Sequence, residues 1–464
     1  MPASSPERVE PAGPGELGRL GRLAWPVVLG QLGMVAMGTV DVAMVGAVSG
    51  DDLAAVGVGH IWSFGVLIVG LGALSGLDPL FSQGWGAGQR AALGRTLART
   101  MVMATLLSVP MVALMLLAEP ALSALHQPPE ILPVAGAYCR AAAWGVWPAM
   151  LFQALGRYLQ GRGEMKVPML AVFAGNLANV GGNAALVFGL TLPGGLVIPA
   201  MGAVGCGVST SIVRWVMLAA VVWLGAEALR ELPRPSLADT LSPRAQLALL
   251  AQGGPVGFQH GLEVWAFSGT GLLMGALGSV EVAAHAVAIN LVSVTFMVPY
   301  GIGAAAATRV GNLIGAGLEW RRAAWIAVAA GVGWMACTAT MLASIPGLLA
   351  GLFTRDVAVA ALAASLLPVA AAFQLFDGVQ AVTFGVLRGA GDTRFPALIN
   401  LLGYWVIGLP VAWWMGVHTA SSPRWVWGGL VIGLSIVATL LVWRLRVIQK
   451  RGAPALQEEA GAGG

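Results

Sequence analysis

The sequence predicts an all-α integral membrane protein with twelve transmembrane helices, and three observations support this fold class. Of the 464 residues, 57% are hydrophobic and only 10% are charged, whereas a soluble domain carries about 25% charged residues. Apolar stretches long enough to cross a bilayer recur from Leu20 to Arg446. These stretches lack the alternating polar positions of β-barrel strands, so a helix bundle is the remaining way to satisfy the backbone in lipid.

Proline, glycine and charged residues divide the apolar sequence into twelve spans. Each exceeds the ~20 residues needed to cross ~30 Å of hydrocarbon. The first, second and eighth are much longer than one crossing requires, so we expect them to tilt, kink or protrude. We number the predicted spans 1 to 12, at residues 20–47, 53–84, 95–118, 131–155, 167–190, 202–228, 246–276, 281–314, 322–350, 357–387, 396–418 and 424–446.

Basic residues are distributed unequally between the two membrane faces. All but four of the 25 Lys and Arg fall on the face that holds both termini; Arg355 and Arg424 lie opposite, and Arg140 and Arg214 lie within spans. Cytoplasmic loops carry the excess of Lys and Arg, so we expect a multi-pass protein of the cell (inner) membrane with both termini cytoplasmic. The net charge of +4 then reflects the loops, and we expect the lipid bilayer as a partner and no nucleic acid.

The two halves of the chain resemble each other at an offset of 229 residues. Pro26 maps to Pro255, and the segment GAVSGDDLAAV maps to GALGSVEVAAH. Six helices per repeat insert in the same direction, which predicts two lobes related by a pseudo-two-fold axis along the membrane normal, with a substrate site between them. Such a repeat favours a transporter over a channel or scaffold. The predicted divisions are an N-terminal segment 1–19, an N-lobe 20–228, a linker 229–245, a C-lobe 246–448 and a disordered tail 449–464.

An acidic residue and a stripe of amides mark the first half. Asp41 lies late in span 1, with Gln31 on the same helix face, and Asn176, Asn179 and Asn183 share one face of span 5. A carboxylate opposite amide oxygens can hold a proton or a hard cation such as Na⁺. The asparagines could instead only join helices by hydrogen bonds, but such a role does not require an acid.

Two further acids mark the second half. Glu263 lies in span 7 one turn after His260, and Asp377 lies in span 10 between Gln374 and Gln380. Neither acid has a basic partner in its own span, so each can bind a proton, a metal cation or the positive nitrogen of an organic compound. We therefore predict ion coupling through Asp41, Glu263 and Asp377, and substrate contacts at these acids that add Gln31, His260 and Gln374.

Repeat symmetry supports a specific role for these acids. Position 41 maps to Thr270, and Glu263 maps back to Met34, so the architecture alone does not require an acid at either place. A buried ionisable residue costs at least ~2.5–3.5 kcal/mol in a membrane span, and by default it marks a functional site. Asp78, near the end of span 2, is better explained by a structural role, such as pairing with a loop arginine.

The order of several motifs resembles the NorM-type multidrug and toxic compound extrusion transporters. The resemblance extends over nearly the whole chain and implies an ion-coupling role for Asp41 and for the polar pair Asn179 and Asn183. It also implies a Na⁺ site at Glu263 and Asp377. One departure is the acid in GLDPLFSQGWGAG, which resembles the eukaryotic branch. The motifs include VDVAMVG, FSQGWGAG, LFQALGRYLQGRGEMKVP, NLANVGGNAALVFG and FDGVQAVTFGVLRGAGDTRFPALINLLGYWVIGLP.

The resemblance implies export of amphipathic, often cationic organic compounds in exchange for Na⁺ or H⁺ by alternating access, by a monomer without a cofactor. The alternative is a flippase for lipid-linked oligosaccharides on a related fold, which would favour a strongly basic central cavity. We do not expect an enzyme, because the sequence contains no HExxH, GxSxG or clustered Cys and His.

Overall fold

The computed structural model describes residues 9–191, 197–233, 235–419 and 421–452, and twelve helical spans cross its length in two lobes of six. Most of the predicted tail and the first eight residues lie outside this part of the chain. The observed spans 1 to 12 are Glu16–Gly46, Gly50–Ser75 with Asp78–Gly86, Arg90–Leu116, Leu132–Ala143 with Val146–Gly161, Lys166–Leu186, Gly202–Leu224, Pro243–Leu277, Ser279–Gly315, Arg321–Ser344, Val357–Gly389, Arg394–Thr419 and Pro423–Arg451.

Short elements complete the described chain. The helices Ala118–Ala124, Ala226–Arg230, Leu237–Leu241 and Pro346–Gly351 follow or connect spans, and the two-residue strands Leu190–Thr191 and Val197–Ile198 pair antiparallel.

Length and hydropathy identify ten of the twelve spans directly within the described residues. The other two are span 4, which is divided into two shorter helices, and span 7, a 35-residue helix that carries His260 and Glu263 among other polar side chains. The prediction of a twelve-helix membrane protein is confirmed.

Side-chain caps explain where two of the helices begin. The Ser49 hydroxyl accepts a hydrogen bond from the Asp52 backbone N–H at 3.0 Å and starts span 2. The Asp356 carboxylate accepts from the N–H groups of Ala358 and Val359, at 2.8 and 3.1 Å, and starts span 10. Each cap satisfies N–H groups that the helix itself leaves unpaired.

Three spans depart from the continuous helices that the apolar pattern predicts. Span 2 stops at Gly76 and restarts at Asp78, with Pro79 in the first turn, where proline is tolerated. Span 4 stops near Gly145. Span 11 is largely π-helical on both sides of Pro410, and such widened turns occur mostly at functional sites. Apolar periodicity cannot detect these breaks because the flanking residues remain hydrophobic.

Glycines bring the lobes into backbone contact near one membrane face, which we call the terminal face because span 1 begins and span 12 ends there. A Cβ at Gly315 of span 8 would lie 2.0 Å from the backbone oxygen of Gln83 in span 2. A Cβ at Gly86 would lie 2.1 Å from the backbone oxygen of Asn312. Only glycine permits this approach, so these positions seal the lobe interface at the terminal face.

Three buried hydrophobic clusters follow this arrangement. The largest joins spans 2 to 6, and a second joins spans of the C-lobe from Ala266 to Leu434. The third lies at the terminal face, where Leu20 and Ala24 of span 1 pack with C-lobe residues such as Val310 and Leu441. The beginning of span 1 therefore contacts the other lobe, whereas its later half carries Asp41 within the N-lobe.

Candidate functional site

Asp41 and the predicted amides meet inside the N-lobe. One carboxylate oxygen of Asp41, Oδ1, accepts hydrogen bonds from Nδ2 of Asn179 at 2.8 Å and from Nδ2 of Asn183 at 2.6 Å. The three residues are 6%, 2% and 0% exposed. Spans 1 and 5 therefore hold one negatively charged group between two amide donors, and the Oδ1 atoms of both asparagines have no partner among the described residues. These two oxygens and the carboxylate are ligands of the kind that hard cations prefer.

Other predicted polar residues of the N-lobe do not reach this carboxylate. Asn176 donates to the Val172 carbonyl of its own helix at 3.0 Å. Gln31 shares a helix with Asp41 but lies ten residues earlier, which is about 15 Å along the axis. Sequence reasoning missed Cys206 of span 6, a fully buried residue whose thiol lies beside Asp41.

A cavity of about 200 Å³ lies between spans 7, 8 and 10 of the C-lobe. Glu263, His260, Gln380 and Arg388 contribute polar side chains to its wall. Asp377, which is 4% exposed and lies one turn before Gln380 in span 10, interacts electrostatically with Glu263. Spans 7 and 10 therefore carry the predicted pair of acids, of which Glu263 lines the cavity and Asp377 lies behind its wall. The aromatic part of the wall consists of Phe267, Phe296, Tyr300 and Phe384.

A hydrogen-bond network supports these acids from span 11. Gln380 is within hydrogen-bonding reach of Glu263, and its Nε2 donates to Oδ1 of Asn400 at 3.3 Å. The Tyr404 hydroxyl donates to Oε1 of Gln380 at 3.1 Å. Asn400 and Tyr404 are fully buried, and sequence reasoning missed both. Their i, i+4 spacing in the apolar segment NLLGY places them on one helix face and was the available signal.

The remaining predicted contacts divide between two places. His260 lines the cavity, and its ring packs against Phe384 with a centroid separation of 6.0 Å. Gln374 is fully buried elsewhere: it donates to the Thr295 hydroxyl and accepts from the Thr338 hydroxyl at 3.0 Å. Gln374 therefore joins spans 8, 9 and 10, one turn away from Asp377.

Asp78 lies in a buried ion cluster between the lobes, which agrees with the structural role expected for it. Its Oδ2 lies 3.3 Å from Nε of Arg388 in span 10 and 3.6 Å from Nη1 of Arg157 in span 4. All three side chains are less than 10% exposed. Sequence reasoning placed both arginines in loops, but each lies in the last turns of a helix.

A second buried ion pair links the lobes at the same face. Nε and Nη2 of Arg309 in span 8 donate to the two carboxylate oxygens of Glu16, at 2.6 and 3.0 Å. Glu16 is fully buried at the start of span 1, within the segment that the sequence assigned to the terminus. Bidentate pairing of this type fixes both position and orientation.

Comparison with known proteins agrees with this arrangement. The family model MatE matches the chain twice, at residues 26–184 and 255–414. The second match begins 229 residues after the first, which is the repeat offset found in the sequence.

The chain is similar to several curated and solved proteins over nearly its whole length. It is 35% identical over 443 residues to the multidrug resistance protein NorM of Burkholderia vietnamiensis, covering 92% of this chain and 93% of that protein. It is 36% identical over 430 residues to the probable multidrug resistance protein NorM of Rhodopseudomonas palustris, covering 91% and 90%. It shares its fold with the eukaryotic MATE transporter AtDTX14, with a TM-score of 0.85 at 22% identity over 94% of this chain and 98% of that one. The chain belongs to the MatE family of membrane transporters, and it is not an enzyme.

Proposed function

We propose that this protein exports amphipathic, often cationic organic compounds in exchange for Na⁺ or H⁺. The observation that carries the proposal is the Glu263 carboxyl group on the wall of an aromatic cavity, with Asp377 within electrostatic reach of it. Two buried carboxylates that repel each other favour binding of a proton or a metal cation, because either relieves the repulsion. The curated relatives named as multidrug resistance proteins support the export of organic compounds.

The aromatic wall supplies the second requirement, a surface for cargo. Phe267, Phe296, Tyr300 and Phe384 line the same cavity as Glu263, so a planar organic cation can place its positive nitrogen at the acid and its apolar rings against the wall. A cargo cation and a coupling cation then compete for the same negative charge. Na⁺ can be held by Glu263 and Asp377 together with the amide oxygens of Gln380 and Asn400, because these are hard oxygen ligands.

Asp41 provides a separate ion site in the N-lobe. Because two amides already donate to its Oδ1, the other carboxylate oxygen is left to bind a proton or Na⁺. The two sites lie in different lobes, so a change in the angle between lobes can alter them independently.

Exchange follows from alternating access. The lobes are in contact at the terminal face, which we place in the cytoplasm of a cell (inner) membrane protein that acts as a monomer. A cation entering from the opposite face neutralises the carboxylates and displaces the cargo. Ion and cargo must prefer different conformations, since only differential affinity shifts a population. Inward movement of one positive charge gains ~2.3 kcal/mol per 100 mV of membrane potential.

Transport by the purified full-length protein in liposomes tests the proposal. A fluorescent organic cation is loaded, and either a Na⁺ gradient or a pH gradient is imposed while the other is kept at zero. We expect one gradient to drive movement of the dye against its concentration, and Glu263→Gln to reduce this at least tenfold. Gly333→Ala, at an uncrowded position of span 9, is the control. Equal dye movement with and without both gradients would contradict ion exchange.

A further inference from the structure

Arg388 belongs to two sites at once. Its side chain lines the same C-lobe cavity as Glu263, and its guanidinium lies over the Phe384 ring at 5.3 Å from the centroid. Its Nε also lies 3.3 Å from the Asp78 carboxylate of the other lobe. Arg388 is 4% exposed, so water screens its charge only weakly from neighbouring carboxylates.

The cluster that Arg388 forms with Asp78 and Arg157 is incompletely satisfied. Two arginines face one carboxylate, which leaves an excess of one positive charge away from water. Asp78 Oδ1, Arg157 Nε and Arg388 Nε form no hydrogen bond with any described residue. A buried charge without full compensation is costly, so the excess favours any nearby negative charge, and Glu263 is the acid on the wall of the adjoining cavity.

The contact between Arg388 and Asp78 exists only while the terminal face is closed, because the two residues come from different lobes. The next residue, Gly389, reinforces the same junction through its carbonyl, which accepts from Nε2 of Gln83 at 3.0 Å. Weakening the Asp78 pair therefore weakens closure.

We propose that Arg388 couples the charge of the Glu263 cavity to closure of the lobes at the terminal face. When Glu263 and Asp377 are both charged, they attract Arg388 away from Asp78, and the closed state is less stable. When Na⁺ or a proton neutralises them, Arg388 pairs with Asp78 and the face closes. Coupling is reciprocal, so closure at the terminal face raises the affinity of the cavity for the cation. This inference rests on the proposed cation site at Glu263.

The expected size of the effect follows from the helix geometry. Gln380, which reaches Glu263, precedes Arg388 by eight residues of span 10, or about 12 Å at 1.5 Å per residue. One unit charge at that distance and an effective dielectric constant of about 20 changes an equilibrium about tenfold. We therefore expect a tenfold change in the ratio of closed to open molecules.

Distances between spin labels on the full-length protein in nanodiscs measure this ratio. The labels are attached through Ala91→Cys in span 3 and Arg322→Cys in span 9, both exposed at the terminal face, after exposed Cys337 is replaced by Ser. The probes are a Na⁺ titration at fixed pH and an acid titration without Na⁺. Four backgrounds are compared: wild type, Glu263→Gln, Arg388→Lys and Arg388→Gln.

We expect Na⁺ or acid to shift wild type and Arg388→Lys about tenfold toward the closed state. Without Na⁺ or acid, Glu263→Gln should already contain more closed molecules than wild type. In Arg388→Gln, neither Na⁺ nor acid should change the ratio of closed to open molecules. A merely structural role for Arg388 would lower closure in Arg388→Gln but leave its response intact, and that result overturns the proposal. If Arg388→Gln does not fold, the test is the shift of Glu263→Gln toward the closed state in the absence of both ions. If that shift is not observed, the proposal is overturned.

The proposal is also overturned if neither Na⁺ nor acid changes the ratio of closed to open molecules in the wild-type protein. Failure of the proposed function would appear separately, as gradient-independent dye movement in liposomes.

Discussion

Replacing Gly315 with alanine should push the lobes apart at the terminal face. The added Cβ would lie 2.0 Å from the Gln83 backbone oxygen, whereas ordinary contact begins at 3.4 Å. The atoms must therefore separate by about 1.4 Å, and backbone on both sides leaves no flexible side chain to move aside. Overpacking of this type costs ~1–3 kcal/mol. The cost applies only to the closed state, so the ratio of closed to open molecules should fall by about 5- to 150-fold.

Spin-label distances between residues 91 and 322 report this change directly. Gly315→Ala should lengthen the distance between spans 3 and 9, while the folded protein keeps its helical content. Gly333→Ala is the matched control, because a Cβ there meets no atom within 4 Å; it should leave the distances unchanged. An unaltered distance distribution in Gly315→Ala would refute the interpretation that this glycine seals the lobe interface.

Three further predictions concern the buried polar groups. Asp41→Asn keeps an oxygen for both amide donors, so it should fold normally and lose gradient-driven dye transport; Asp41→Ala leaves two buried amides unpaired and should also cost ~1–3 kcal/mol per amide in thermal stability. Glu16→Ala leaves buried Arg309 without its carboxylate partner and should lower the free energy of unfolding by ~3–5 kcal/mol. Adding Arg309→Met to the same chain should reduce this loss, because no unpaired buried charge then remains. Thermal unfolding in detergent measures the single and the double variant. Gln380→Leu removes a neighbour of Glu263. In this variant the Na⁺ or H⁺ concentration that gives half-maximal dye transport should shift at least threefold, whereas an unchanged concentration would exclude Gln380 from the ion site.

The lengths of the apolar runs predicted the helical architecture well, because few structures can cross a lipid bilayer. A span must be apolar, helical and ~20 residues long, and these demands are visible residue by residue. The positions at which a helix is interrupted cannot be predicted from run length in this way. Span 2 restarts at Asp78 because that acid and the following helix meet Arg157 and Arg388, and the latter contact joins residues about 300 positions apart.

Side-chain partners across the bundle were predicted only in part. Helical spacing placed Asn179 and Asn183 on one face, and the structure brings that face to Asp41. Spacing does not fix depth, so Gln31 shares the helix but not the site. Gln374 was grouped with Asp377 because they are one turn apart, yet its amide is used by Thr295 and Thr338. Which neighbouring helix a side chain contacts depends on how the helices of the lobe pack, and the sequence of a single span does not determine that packing.

The proposed exchange of a small cation for cargo depends on the carboxylates buried in each lobe. Its most direct test is dye efflux from liposomes driven by an imposed Na⁺ or pH gradient, with Asp41→Asn, Glu263→Gln and Asp377→Asn combined in one correctly folded protein. We predict that this variant retains its thermal stability within a few degrees and shows no gradient-driven efflux. Efflux at the wild-type rate from the same variant would contradict the account.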